Sequence, residues 1–306
     1  MERLIVLTGP TGIGKTELSL QIAKDCNCEI ISSDSMQIYK YMDIGTAKID
    51  TSTTDIKHHM IDIINPDDEF SVSDYKNKVK SIISDINSRN KIPLLVGGTG
   101  LYVNSLVYNL NFSNVEANEE FRSNLEKLAD EKGNEYLHDL LKEKDIESAN
   151  KIEFNNRKRV IRALEITEFS DKKDNKKFRE ENTDYDLLMI GLNMDRQLLY
   201  DQINKRVDQM IDAGLIDEVK NLLYKGYNSD LNSMKAIGYK EIISYLKDEI
   251  SKEEAIDLIK KNSRHYAKRQ LTWFRRDDRI QWFDKSDVNL KENIEKYIGE
   301  NFERIK

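Results

Sequence analysis

Residues 3–16 constrain this chain more than any other stretch. Arg3-Leu4-Ile5-Val6-Leu7-Thr8 is a continuous apolar run, the pattern of a strand buried on both faces, and it breaks at Gly9. Gly9-Pro10-Thr11-Gly12-Ile13-Gly14-Lys15-Thr16 follows, fitting G-x-x-x-x-G-K-[ST], and a helix is predicted from Lys15 to about Asp25. Strand, glycine loop and helix in that order make a polyphosphate cradle. The glycines let successive backbone N–H groups converge on phosphate oxygens, and the helix N-terminus adds a fixed positive end. Lys15 supplies a point charge, and the Thr16 hydroxyl is placed to ligate Mg²⁺. The loop specifies a phosphate ligand without saying which one.

The remaining pattern predicts how that loop is mounted. Cys28 to Asp34 and Ile92-Pro93-Leu94-Leu95-Val96-Gly97-Gly98 read as further buried strands, and residues 71–89 carry apolar residues on one helical face. Strands alternating with helices imply an α/β fold with a mainly parallel sheet, like that of the P-loop NTPases. Near Phe112 the pattern changes. Residues 116–169 are helical in period with no strand, and residues 172–184 form a charged connector before Leu187-Leu188-Met189-Ile190-Gly191-Leu192 returns as a strand. The expectation is a catalytic core of residues 1–112 and 184–306, with a helical insertion domain over 113–183. Beyond Arg196 the chain should be helical, broken at Gly214, Gly226 and Gly238, with Arg279 to Phe283 as a short last strand.

Composition narrows the class. Only 3 Pro and 13 Gly in 306 residues exclude collagenous and Pro/Gly-rich disordered chains. No apolar run approaches the ~20 residues of a membrane span. The strand-like opening leaves no room for a leader, and Cys26 and Cys28 are too few and too close for a disulfide framework, so a cytoplasmic protein is expected. The net charge of −7 conceals two basic groupings. Residues 155–179 hold nine Lys/Arg against four Asp/Glu, and residues 264–282 hold six against two. Each is either a solvated helix face or a nucleic-acid contact.

Asp34, at the predicted end of the second strand, has three readings. It could hold Mg²⁺ or accept a hydroxyl proton in a kinase, act as general base toward an incoming nucleophile in a transferase, or simply cap a turn. The third strand ends in Gly97-Gly98-Thr99-Gly100 and not in an acid, which counts against an ordinary ATPase. Adjacent His58 and His59 point different ways with no further ligand to complete a metal set, so a structural or substrate-positioning role is expected.

The ordered motifs carry a resemblance. After the phosphate loop come Asp34-Ser35-Met36-Gln37-Ile38-Tyr39, Gly45-Thr46-Ala47-Lys48, His58-His59-Met60-Ile61-Asp62 and Val96-Gly97-Gly98-Thr99-Gly100-Leu101-Tyr102. They continue with Asn156-Arg157-Lys158-Arg159-Val160-Ile161-Arg162-Ala163-Leu164-Glu165, Ala236-Ile237-Gly238-Tyr239-Lys240-Glu241 and Tyr266-Ala267-Lys268-Arg269-Gln270-Leu271-Thr272-Trp273-Phe274. Over nearly its whole length the chain resembles the bacterial tRNA dimethylallyltransferases, which prenylate the adenine just 3′ of the anticodon.

That resemblance implies that Gly9 to Thr16 hold the diphosphate of dimethylallyl diphosphate, with Mg²⁺ at Thr16. It makes Asp34 the base for the adenine N6 amine, Thr99 a neighbour of the transferring group, and Arg206 the stabiliser of departing diphosphate. It implies tRNA contacts at Asp34, Ser35, Met36 and Gln37, and at Asn156, Arg157, Lys158, Arg159 and Val160 along the anticodon stem-loop. Gln37 could read the flipped adenine's edge, since an amide matches adenine's donor–acceptor pair. Arg264, Lys268, Arg269, Arg275 and Arg276 are expected on one long helix as RNA contacts, with Trp273 and Phe274 as core. The family also suggests a monomer. The alternatives are a small-molecule or nucleoside kinase, a prenyltransferase acting on free adenylate, and an RNA-binding module without catalysis. The kinase leaves the basic stretches unexplained, the adenylate enzyme has no use for the insertion, and the binding module needs no Asp34, Thr99 and phosphate loop together.

Overall fold

The computed structural model describes residues 1–110, 115, 118–169 and 180–302. The first apolar run is β1 (Glu2–Thr8), and α1 (Lys15–Asp25) starts at the phosphate-loop lysine. β2 (Cys28–Ser32) stops two residues short of the expected end, so Asp34 stands in the loop beyond it. A two-residue strand, β3 (His58–His59), is added at the edge. α2 (Val72–Ser88) begins at a capping box in which Ser71 and Asp74 satisfy each other's backbone N–H. β4 (Ile92–Gly97) and α3 (Gly100–Val107) flank the glycine turn.

Residues 110–180 make a compact unit of their own. It consists of α4 (Glu119–Lys132), α5 (Asn134–Lys144), α6 (Ile146–Lys151) and α7 (Arg157–Phe169). Leu137, Leu141, Val160 and Leu164 form its buried centre. Glu165 is fully buried there, receiving Arg122 at 2.9 Å, the Asn118 N–H at 2.8 Å, and Arg162. The lysine-rich half of the first basic grouping, residues 172–179, lies outside the described residues.

The other unit, Met1–Asn109 with Glu181–Lys306, is completed by β5 (Tyr185–Asn193), α8 (Arg196–Asp212), α9 (Leu215–Tyr224), α10 (Tyr239–Leu246), α11 (Lys252–Phe274), β6 (Ile280–Asp284) and α12 (Leu290–Phe302). Its strands form one sheet in the order β3-β2-β4-β1-β5-β6, and every pairing is parallel. β1 is central, with Ile5 to Thr8 in register with Leu94 to Gly97 on one side and with Leu188 to Gly191 on the other. Leu4 to Leu7 have no exposed surface, which explains the uninterrupted apolar run. The loops after β1, β2 and β4 all leave the sheet at its carboxyl end, where parallel sheets present ligand sites.

Two features of α11 depart from expectation, its end and the exposure of Trp273, whereas the two histidines take the structural role expected of them. α11 ends at Phe274, so Arg275 is its C-cap and Arg276 lies beyond it; neither is on the helix. His59 donates or accepts at 2.8 Å to buried Glu29, and His58 pairs with the Ile56 carbonyl, so both serve the β3 edge. Phe274 is core at 2% exposure, while Trp273 is only half-buried, its indole packed over Gly100.

Candidate active site

The phosphate loop is shaped by two left-handed glycines, Gly12 at φ 81° and Gly14 at φ 87°, conformations that side chains disfavour. At Gly12 a Cβ would also stand 2.8 Å from Ile203 of α8. The Lys15 ammonium folds back over the loop, donating to the carbonyls of Gly9 at 2.9 Å and Pro10 at 2.8 Å. Burial, with the positive charge of Arg206 behind it, pulls the Lys15 pKa down to about 7 against the opposing pull of Asp34. Burial lowers Arg206 as well, and Asp34 again opposes the shift. Lys15, Arg206 and Asp34 thus form one electrostatic group, supplied by α1, α8 and the β2 loop.

Asp34 is held by its own turn. Its Oδ1 accepts the Met36 N–H at 2.9 Å, and its N–H donates to the Ser32 hydroxyl at 3.3 Å. Ser32 donates to the Gln37 carbonyl oxygen at 2.9 Å, and the Gln37 NH₂ donates to the Thr46 carbonyl at 3.3 Å. Gln37 is therefore engaged at both ends of its amide by the protein. The glycine turn is tied to the same loop, because Thr99 Oγ1 accepts the Ser35 N–H at 3.1 Å and the Thr99 N–H donates to the Ser33 carbonyl at 3.2 Å. Asp34 and Thr99 are locked together across 65 residues of sequence by these bonds.

Two adjoining cavities share Thr11, Asp34, Thr46 and Arg206. The smaller, about 100 Å³, is walled by Gly12, Gly14, Lys15, Thr16, Gly97 and Gly98. The larger, about 410 Å³, has an apolar wall of Met36, Ile203, Val207, Met210, Ile237 and Ile259, and a polar rim that includes Asn232, Lys235, Lys240 and Arg269. A small polar chamber thus opens into a larger apolar one, and Asp34 stands at the junction.

Sequence reading missed two supports of this chamber. Gln270 of α11 reaches two of the loops at once. Glu218 of α9 accepts the N–H groups of Asp43, Ile44 and Gly45 at 2.9, 2.7 and 3.1 Å, together with the Tyr239 hydroxyl at 2.6 Å. That arrangement needs Gly45, where a Cβ would sit 2.4 Å from the Tyr239 ring. For Gln270 the available signal was its spacing, one helical turn after Tyr266, which puts both on one face of α11.

The residues expected at tRNA separate in the helical unit. Asn156, Lys158 and Arg159 are exposed. Arg157 is held by Asp130 at 2.7 Å, Asn134 at 2.8 Å and Glu126 at 3.1 Å. Val160 has 0% exposure and packs in that unit's core, because it falls on the apolar face of α7, so its side chain presents nothing to a partner.

For a metal, the described residues contain no cluster of three or more His, Cys, Asp or Glu side chains. The oxygens of Thr16 and Asp34 line the small cavity and fit Mg²⁺, which takes one or two protein oxygens and completes its shell with phosphate and water. Among the described residues no helix is long and apolar enough to cross a membrane.

The family model described as IPP transferase matches residues 37–277, and that described as isopentenyl transferase matches residues 2–58. The chain is 51% identical to a tRNA dimethylallyltransferase of Caldanaerobacter subterraneus subsp. tengcongensis, with 97% of this chain and 98% of the relative covered. Among solved structures, the full-length tRNA isopentenylpyrophosphate transferase of Bacillus halodurans is 45% identical with a TM-score of 0.75, covering 99% of this chain and 97% of that one. A eukaryotic dimethylallyltransferase acting on tRNA superposes with a TM-score of 0.82 at 28% identity, covering 98% of this chain and 78% of that one. On the family match and the near full-length identity together, the chain belongs to the IPP transferase family.

Proposed function

We propose that this chain transfers the dimethylallyl group of dimethylallyl diphosphate to N6 of the adenine just 3′ of the anticodon in tRNA, releasing diphosphate. The observation that carries this reading is Asp34 at the junction of a polar phosphate chamber and an apolar one. Diphosphate fits the first and a branched five-carbon tail fits the second. A flipped adenine meets both where the carboxylate stands.

In the reaction the adenine N6 lone pair forms a C–N bond to the first carbon of the allyl group. The C–O bond to diphosphate breaks and its electron pair leaves with the diphosphate. Asp34 accepts the N6 proton as the bond forms, raising the nucleophilicity of an otherwise poor amine. The Lys15 ammonium and the Arg206 guanidinium neutralise charge that grows on the leaving group, and the backbone N–H groups of Gly12 and Gly14 add fixed dipoles. The loop bonds at Thr99 keep Asp34 aimed at the transferring group. Mg²⁺ held by Thr16 and the diphosphate would add Lewis-acid neutralisation of the phosphate oxygens.

The tRNA meets the Ser35-Met36-Gln37 turn beside Asp34, the exposed basic residues of α11 such as Lys268 and Arg269, and Asn156, Lys158 and Arg159 of the helical unit. Lys15, Asp34, Thr99 and Arg206 belong to one unit of one chain, so a monomer suffices, and a tRNA substrate supports a cytoplasmic location. The test is transfer of label from dimethylallyl diphosphate, with Mg²⁺, to unmodified tRNA, to the same tRNA with the target adenine changed, and to AMP, beside an ATP-hydrolysis control. Label in the first acceptor alone is the expected result. Label only in AMP would make this an adenylate prenyltransferase, and ATP turnover without transfer would make the loop a kinase's.

A further inference from the structure

The α11 helix crosses the active-site unit with basic residues on its outer face and one buried amide on its inner face. Gln270 is 5% exposed, and both ends of its side chain are used. Its carbonyl oxygen accepts the backbone N–H of Thr11, inside the phosphate loop, at 2.8 Å. Its NH₂ donates to the carbonyl of Gly98, inside the glycine turn, at 3.0 Å. The partners fix the orientation of the amide, since an N–H can only donate and a carbonyl can only accept.

The surroundings are cut to this amide. A Cβ on Gly98 would lie 2.0 Å from Gln270 Nε2 and 3.4 Å from the Gly9 carbonyl, the same carbonyl that receives the Lys15 ammonium. At Gly98 the glycine turn thus runs close beside the phosphate loop, and the amide fills the space that a side chain there would take. One turn earlier on α11, the Tyr266 hydroxyl interacts with Thr99 and with Gln270 itself.

We infer that Gln270 is a positioning residue, whose buried amide clamps the phosphate loop at Thr11 to the Gly98–Thr99 turn and so fixes the separation between the diphosphate and Asp34. This rests on the prenyl-transfer reading above. Gln270 lines the phosphate chamber and occupies the Thr11 N–H, which leaves the N–H groups further along the loop to bind diphosphate. It touches neither reacting atom. Its effect runs through the loops it holds, where a displacement of about 1 Å is enough to cost about a hundredfold in rate.

The clamp needs one donor and one acceptor on a planar head. Among close isosteres only a protonated carboxyl group supplies both, whereas an ionised one would face the Gly98 carbonyl with like charge. Gln270→Ala should slow single-turnover transfer about tenfold or more and raise the KM for dimethylallyl diphosphate, with tRNA affinity unchanged. Gln270→Glu should be slow at about pH 8.5 and recover at about pH 6, so that its rate relative to wild type rises as the carboxyl protonates. A residue that merely stabilised the fold would give no such rise. A thermal melt of both variants separates unfolding from misalignment, and Gln270→Glu keeps the shape should Gln270→Ala fail to fold. Gln270→Ala within twofold of wild type would overturn the inference. So would Gln270→Glu remaining equally slow across that pH range. If wild type transferred no prenyl group to tRNA, the parent reading would fail, and that outcome is separate from either variant's.

Discussion

The two units of this chain both carry basic motifs, yet they use them differently. In the sheet-containing unit the motif residues converge: Lys15, Asp34, Thr99 and Arg206 come from four elements and meet at the carboxyl end of a parallel sheet, through loop hydrogen bonds and mutual electrostatics. In the helical unit the same kind of sequence signal divides. Arg157 and Arg162 pair with buried or neighbouring carboxylates, Val160 packs in the core, and Lys158 and Arg159 stand in solvent. Glycine loops make convergence legible because their backbone conformation admits few alternatives. A charge run on a helix distributes its residues around a 3.6-residue period, so adjacent positions face different ways.

The strongest test of this contrast is at the convergent site. Asp34→Ala should cut turnover by about 10²-fold or more while tRNA affinity holds, measured by steady-state transfer and filter binding. At the other pole, Glu165→Ala should leave chemistry alone and destabilise the helical unit by about 2 kcal/mol, read from urea unfolding, because it removes the buried carboxylate on which Arg122, Arg162 and the Asn118 N–H converge. Acid should act the same way. Burial alone would raise the Glu165 pKa, but Arg122, the Asn118 N–H and Arg162 outweigh it and hold it at about 2, below the usual 4.5. A depressed carboxylate stabilises fully above its unfolded pKa, so this contribution should fade as pH falls from about 4.5 toward 2.

Smaller effects sharpen the comparison. Lys15 titrates near 7 and binds an anion better when charged, so affinity for dimethylallyl diphosphate should weaken as pH rises above about 7, by tenfold per pH unit at most. Lys15→Arg, which stays charged, should flatten that limb in a pH profile of kcat/KM. Replacing Lys158 and Arg159 with Ala should reduce the salt dependence of tRNA binding by about one to two in the log–log slope. Arg157→Ala should lower the melting temperature by a few degrees and leave that slope unchanged. Equal slopes from the two sets would erase the distinction drawn between them.

Much of the fold follows from sequence because β1, β2, β4 and β5 are buried on both faces and have to read as apolar runs. Asp34 was legible as a polar residue where such a run stops, although β2 ends at Ser32 and the last two positions belong to the loop. β3 was not legible. Two histidines make no period, and their strand exists only because Ile30 and Ile31 offer a partner edge and Glu29 a hydrogen bond. Gln270 and Glu218 were hidden for another reason. Their partners lie 259, 172 and about 175 residues away, and local spacing, which puts Gln270 on the Tyr266 face of α11, does not say which distant backbone groups a side chain will meet. The end of α11 at Phe274 was likewise missed, because Arg275 and Arg276 continue the basic pattern beyond the helix.

Whether Asp34 takes the proton from the nucleophile is decided by single-turnover transfer with Asp34→Asn. Asparagine keeps an oxygen for the Met36 N–H, and so keeps the turn, but it cannot accept the proton. If Asp34 is the base, the rate should be as slow as that of Asp34→Ala, with tRNA and dimethylallyl diphosphate affinities near wild type. A rate near wild type would contradict that role and leave Asp34 as the residue that shapes the turn.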